Sequence, residues 1–211
     1  MALDTFIVKW ARCALKVQSN FTVYHWAAKP FGKPEARSFW FVDAWVLLFF
    51  VLSLLTFVLS FRFKQPAFQW TVLIVGAARL WELVPYGLKV AIFTEPNKGT
   101  TDIRDPRRTV ILLLFNYAEM ILWFAACYSI WRNKGLLDLE KGAPCIILLR
   151  ESVMSMVANS SNAFKYTSNY VWLTVLLQNV LGLIMTIVIA TRFISFLPQG
   201  TGALNTRGRK R

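Results

Sequence analysis

Arg79, Glu82 and Glu119 stand near the middles of apolar stretches of this chain, and any chemistry it does would start with them. Arg79 and Glu82 fall three residues apart near the middle of one apolar run, and Glu119 lies at the midpoint of the next. A charge at the centre of a bilayer costs ~2.5–3.5 kcal/mol even on the lenient insertion scale, so such groups must face protein or water and find partners. Arg79 can satisfy Glu82, Glu119 or both. A proton or ion relay would use this set, and a helix-to-helix ion pair that fixes packing needs the same residues; the packing pair is the expected role. Asn116, one turn before Glu119 on the same face, suits either as an interhelical hydrogen-bond donor.

A second concentration of polar residues runs through Asn159, Ser160, Ser161 and Asn162 into Ala163 and Phe164. Before it, Cys145 to Ala158 is mostly apolar, and Pro144 can open a helix there because its missing N–H would be unpaired in any case. Fourteen residues at ~1.5 Å each reach roughly 21 Å, short of the ~30 Å hydrocarbon core, so this helix should stop partway or lie at the interface. After the polar turn, Tyr170 to Leu197 carries one charge, Arg192, near its end, and can span. A short helix, a polar turn and a long helix are the outline of a re-entrant pore segment over 143–197, with Asn159 to Phe164 as pore-loop candidates. The plainer alternative is an ordinary outer loop after an interfacial helix.

The elements that must position these residues are membrane spans. The chain has 211 residues, 56% of them hydrophobic, and a positive mean hydropathy. With several apolar runs near twenty residues, it reads as an all-α integral membrane protein of four transmembrane helices rather than a soluble domain. The expected spans are Phe39 to Phe61, Ala67 to Phe93, Thr109 to Trp131 and Tyr170 to Leu197, supplemented by the re-entrant half-helix. Trp40, Trp45, Arg62 and Lys64 anchor the ends of the first. Pro85 is expected to kink the second. Residues 1–38 form an N-terminal segment in which Lys9, Arg12 and Lys16 oppose Phe6, Trp10, Cys13 and Val17, the pattern of an interfacial helix over residues 5–18; a basic tail docked on the protein is the alternative. The remaining divisions are a two-helix region at 39–94, a link at 95–108, a pore-type domain at 109–197 and a basic tail at 198–211.

The formal charge of +13 does not call for nucleic acid, because the basic residues sit between and outside the apolar runs. With four spans, fifteen Lys and Arg fall on the side of the termini and seven on the other. The positive-inside rule then puts both termini in the cytoplasm, with the chain in a plasma membrane, or the inner membrane of a bacterium. The bilayer itself is the expected partner. Three cysteines without CxxC spacing and a single histidine, His25, argue against a zinc or haem site. No catalytic constellation stands out, so neither an enzyme nor a cofactor is expected. Cys127 and Cys145 share the outer side, where a disulfide could form, although apolar packing is the commoner use of such residues.

Several runs carry a resemblance. Ala78-Arg79-Leu80-Trp81-Glu82-Leu83, Arg107-Arg108-Thr109-Val110-Ile111-Leu112, Asn116-Tyr117-Ala118-Glu119 and Trp123-Phe124-Ala125 resemble the first three spans of bacterial four-span potassium-channel-like proteins. Gln178, Gly182 and Arg192-Phe193-Ile194-Ser195 resemble the inner helix of the same proteins. The resemblance covers roughly residues 70–197. It implies a homotetrameric pore-loop channel for monovalent ions, in which the third span is the outer helix, 145–158 the pore helix and 170–197 the inner helix, with Gly182 as its hinge. The filter departs from that pattern. Potassium filters aim backbone carbonyls inward from a glycine-bearing segment, whereas here no glycine lies between Gly142 and Gly182. Lys165 would also put positive charge at the mouth of each subunit. The fold is therefore expected without potassium selectivity, or as a non-conducting scaffold or regulatory subunit.

Overall fold

The computed structural model describes residues 13, 39–93, 106–138, 145–157, 159, 165–166 and 168–195. Among them are five helices: α1 (Phe39–Ser60), α2 (Pro66–Phe93), α3 (Pro106–Asn133), α4 (Cys145–Met156) and α5 (Asn169–Ser195). Between α3 and α4 lies β1 (Leu137–Asp138), and before α5 lies β2 (Lys165–Tyr166). Four of these helices, α1, α2, α3 and α5, are long and apolar enough to cross a membrane. The proposed interfacial helix at 5–18, the link at 95–105 and the basic tail lie outside the described residues, save for Cys13.

The helices form where the apolar runs predict them, with shifted ends. α3 begins at Pro106, so Arg107 and Arg108 stand in its first turn rather than in the link. Proline suits that position, since the N–H it lacks has no helical partner there. α2 continues through Pro85. The two short strands are an addition to the all-α expectation: they pair antiparallel, Leu137 opposite Tyr166 and Asp138 opposite Lys165. α3 reaches β1 through a tight stop, in which Gly135 takes a φ of 70°. The Leu136 N–H donates to the Trp131 carbonyl at 2.9 Å and the Gly135 N–H to that of Arg132 at 3.0 Å. This is the glycine-closed helix end that left-handed backbone makes available.

Contacts at both ends fix how the long helices run. Arg108 on α3 pairs with Asp43 on α1 at one end, while Asn133 Nδ2 on α3 donates to the Ser60 carbonyl of α1 at the other, at 3.1 Å. These two helices are therefore parallel. Trp131 Nε1 donates to Thr174 Oγ1, and its ring stacks with Tyr170, so α5 starts where α3 ends. The four long helices run up, down, up and down, leaving Phe39 and Ser195 at one end of the bundle and the paired strands at the opposite end.

α3 is the central helix and touches every other helix. Its interior residues include Leu113, Met120, Trp123, Phe124 and Tyr128, all essentially inaccessible. α1 turns Ser53, Thr56 and Ser60 inward, a stripe of small side chains that lets two backbones approach, and leaves Leu47, Leu48, Val51, Leu55 and Val58 outside. So large an apolar exterior on α1 and α5 is what a lipid-facing surface requires.

Candidate functional site

Arg79, Glu82 and Glu119 converge as the sequence suggests. Arg79 Nε and Nη2 each donate to one carboxylate oxygen of Glu119 at 2.9 Å, a two-pronged contact between α2 and α3. Its Nη1 donates to Glu82 Oε2 one turn along α2. Two aromatics complete the cluster: the guanidinium lies 3.9 Å from the centroid of the Phe49 ring on α1, and Trp123 Nε1 donates to Glu119 Oε1 at 3.1 Å. One arginine thereby ties three helices together. Arg79 is 2% exposed and Glu119 fully enclosed, so the contact is unscreened by solvent. Asn116 is buried on the same face of α3, but its Oδ1 accepts no hydrogen bond from the described residues.

A second polar node locks α4 between α3 and α5. Gln178 on α5 is fully buried. Its Nε2 donates to both the carbonyl and the hydroxyl oxygen of Ser152, each at 2.8 Å, and its Oε1 accepts from the Tyr128 hydroxyl. Ser152 Oγ in turn donates to the Ile121 carbonyl on α3 at 2.7 Å. Beside it on α4, Glu151 is 1% exposed with an Oε1 that accepts no hydrogen bond from the described residues. The sequence reading missed Ser152, Ser155 and Tyr128; the signal available was the polar set 151, 152 and 155, spaced to share one face of a helix.

Below the node, α4 ends against the middle of α5. A Cβ placed on Gly182 would lie 2.1 Å from the Met156 carbonyl oxygen and 2.9 Å from its carbon. The same carbonyl accepts from the Tyr117 hydroxyl at 3.3 Å. Gly182 is thus buried within continuous helix at the point where another backbone comes closest. Of the pore-loop candidates, Asn159 is exposed and its N–H donates to the Met154 carbonyl at 2.9 Å, closing the end of α4. Ser160, Ser161, Asn162, Ala163 and Phe164 lie outside the described residues. Cys127 and Cys145 are both free thiols, and no group of three metal-ligating side chains occurs among the described residues.

Gln178→Leu tests whether this node docks α4. It would remove the Gln178 bonds to Ser152 and to the Tyr128 hydroxyl, at about 0.5–1.5 kcal/mol for each bond lost. The thermal midpoint of the purified protein should fall clearly, and by less in Tyr128→Phe, which keeps the bonds from Gln178 to Ser152; parental melting of Gln178→Leu would remove the node as the device that holds α4. Comparison of the whole chain with protein-family models, curated sequences and solved structures finds no match in any of the three.

Proposed function

We propose that the chain is an ion channel of the pore-loop type, with α3 as outer helix, α4 as a re-entrant half-helix and α5 as inner helix. One observation carries this reading. β1 and β2, which flank α4 in sequence, pair with each other at one end of the bundle, yet the end of α4 sits against Gly182, midway along α5. A chain that leaves and returns at one face and reaches the middle of a span between supports a re-entrant course. Twelve residues of helix give about 18 Å, enough to reach the middle of a bilayer and too little to cross it. Four copies around a central axis, with both termini in the cytoplasm of a plasma-membrane protein, complete the arrangement.

The absence of glycine from 143 to 181 supports a second reading, a non-conducting scaffold or regulatory subunit that keeps the architecture. The same absence makes monovalent currents without potassium preference the expected result in the first. Purified protein reconstituted into planar bilayers, with the subunit number determined by native mass spectrometry, separates the two. Currents from tetramers support the channel, and silent tetramers across salts and voltages support the scaffold. A monomer in membranes would rule out the central pore and leave the scaffold or regulatory reading, and reporters fused to each terminus fix the orientation in the same preparation.

A further inference from the structure

The half-helix α4 carries its two adjacent charges on different faces. Glu151 is turned into the protein and is 1% exposed, beside Ser152 and Ser155. Arg150 is exposed and makes no hydrogen bond or ion pair among the described residues. Ile146, Val153 and Val157 are exposed with it, and their spacing by three and four puts all of them in one stripe. The depth of the stripe follows from how α4 lies against α5. Ser152 meets Gln178 and Met156 meets Gly182, a step of four on both helices, so the two run side by side in one direction. Arg150 is then level with Leu176, which lies about 10 Å beyond the start of α5. A charge at that level of a span needs water or a counter-charge.

We infer that the ions this pore passes are small monovalent anions such as chloride, drawn by a ring of Arg150 side chains, one from each copy. The inference rests on the channel reading above and adds its substrate class. Two independent features carry it. The first is the stripe: the face of α4 that α3 and α5 leave open is the one available to the central axis, and its one charge is positive. Glu151 faces the other way and does not offset it there. Rings of arginine or lysine are how anion pores admit their ions. The second is the end of α4, where a cation path would need free carbonyl oxygens. The carbonyls of Val153 and Met154 accept the Val157 N–H, that of Met154 also accepts the Asn159 N–H, and that of Met156 accepts the Tyr117 hydroxyl. The oxygens that could strip water from a cation are engaged inside the protein, while the arginine that attracts an anion is free.

The full chain is reconstituted into planar bilayers under a steep gradient of potassium chloride, and the reversal potential is read. The parent should reverse on the chloride side. A unit charge about 4 Å from an ion in water changes its local concentration roughly fivefold, so Arg150→Gln should lower the chloride-to-potassium permeability ratio by at least about that factor. Arg150→Lys should keep the parental ratio, and Arg150→Glu should turn the preference to potassium. Arg150 is exposed, so none of these changes disturbs helix packing, and parental melting of each variant verifies this. Reversal of the parent on the potassium side overturns the anion assignment and leaves the channel standing. An Arg150→Glu protein with the parental ratio does the same, and is the result expected of an arginine that reaches up to lipid headgroups. Silent tetramers end the channel reading itself, and the assignment with it.

Discussion

Gly182→Ala is expected to lower the stability of the protein at the upper end of, or beyond, the ~1–3 kcal/mol usual for overpacking a close-packed interior. Two opposed effects meet at this residue, and their signs differ. Within a helix, alanine is favoured over glycine by about 0.5–1 kcal/mol, because glycine loses more backbone freedom on folding. A glycine that served only as a flexible hinge would therefore give a more stable alanine variant. Here the new methyl would meet the Met156 carbonyl oxygen at 2.1 Å. The obstruction is backbone, so no side-chain rotation relieves it, and α4 must back away from α5 by roughly 1 Å in an interior that is otherwise filled. Withdrawal of that size also strains the Gln178 to Ser152 bonds just above. Gly76→Ala is the natural control: its methyl would meet the flat side of Trp123 at 3.1 Å, a contact that a few tenths of an ångström relieve. Thermal unfolding of the two variants should show a large loss for the first and a small change for the second. A more stable Gly182→Ala protein would mean that α4 does not pack as described.

The hinge suggested by resemblance and the close approach found in the structure show what a sequence can and cannot carry about such a site. A single glycine among apolar residues marks a place where a side chain is unwelcome, but flexibility and crowding leave the same trace. Spans were legible because twenty apolar residues in a row have few other uses, and their ends shifted by only a few residues. Arg79, Glu82 and Glu119 were legible as partners for a related reason: charges inside apolar runs must find one another. Phe49 and Trp123 were not, because an aromatic residue within an apolar run is indistinguishable from its neighbours until the fold aims it. The Gln178 node was hidden for want of distance information, since its members come from three helices and span residues 121 to 178. The two-residue strands were invisible because a pair of residues has no period.

Arg79→Met should be the most damaging single change in the molecule. Arg79 neutralises Glu119 with two hydrogen bonds and Glu82 with a third, and lies over Phe49. Methionine matches its length and apolar stem, so the loss is chiefly of charge. Two carboxylates would then remain buried, one fully enclosed, with Trp123 Nε1 as the one other donor to Glu119 among the described residues. Breaking a buried pair in this way costs about 3–5 kcal/mol, whereas replacing every member by neutral groups of similar shape is often near neutral. That asymmetry makes the expected result sharp. Arg79→Met should fail to accumulate as folded protein or melt far below the parent, and adding Glu82→Gln and Glu119→Gln to it should recover most of the loss. The recovered triple variant then separates the two roles this network can play. If the arginine is a brace, the triple variant folds and behaves as the parent in planar bilayers. If the carboxylates hand protons or ions across the membrane, it folds and its transport is lost. Packing is the expected outcome, because both Glu119 oxygens are engaged by one guanidinium and the side chain is fully enclosed.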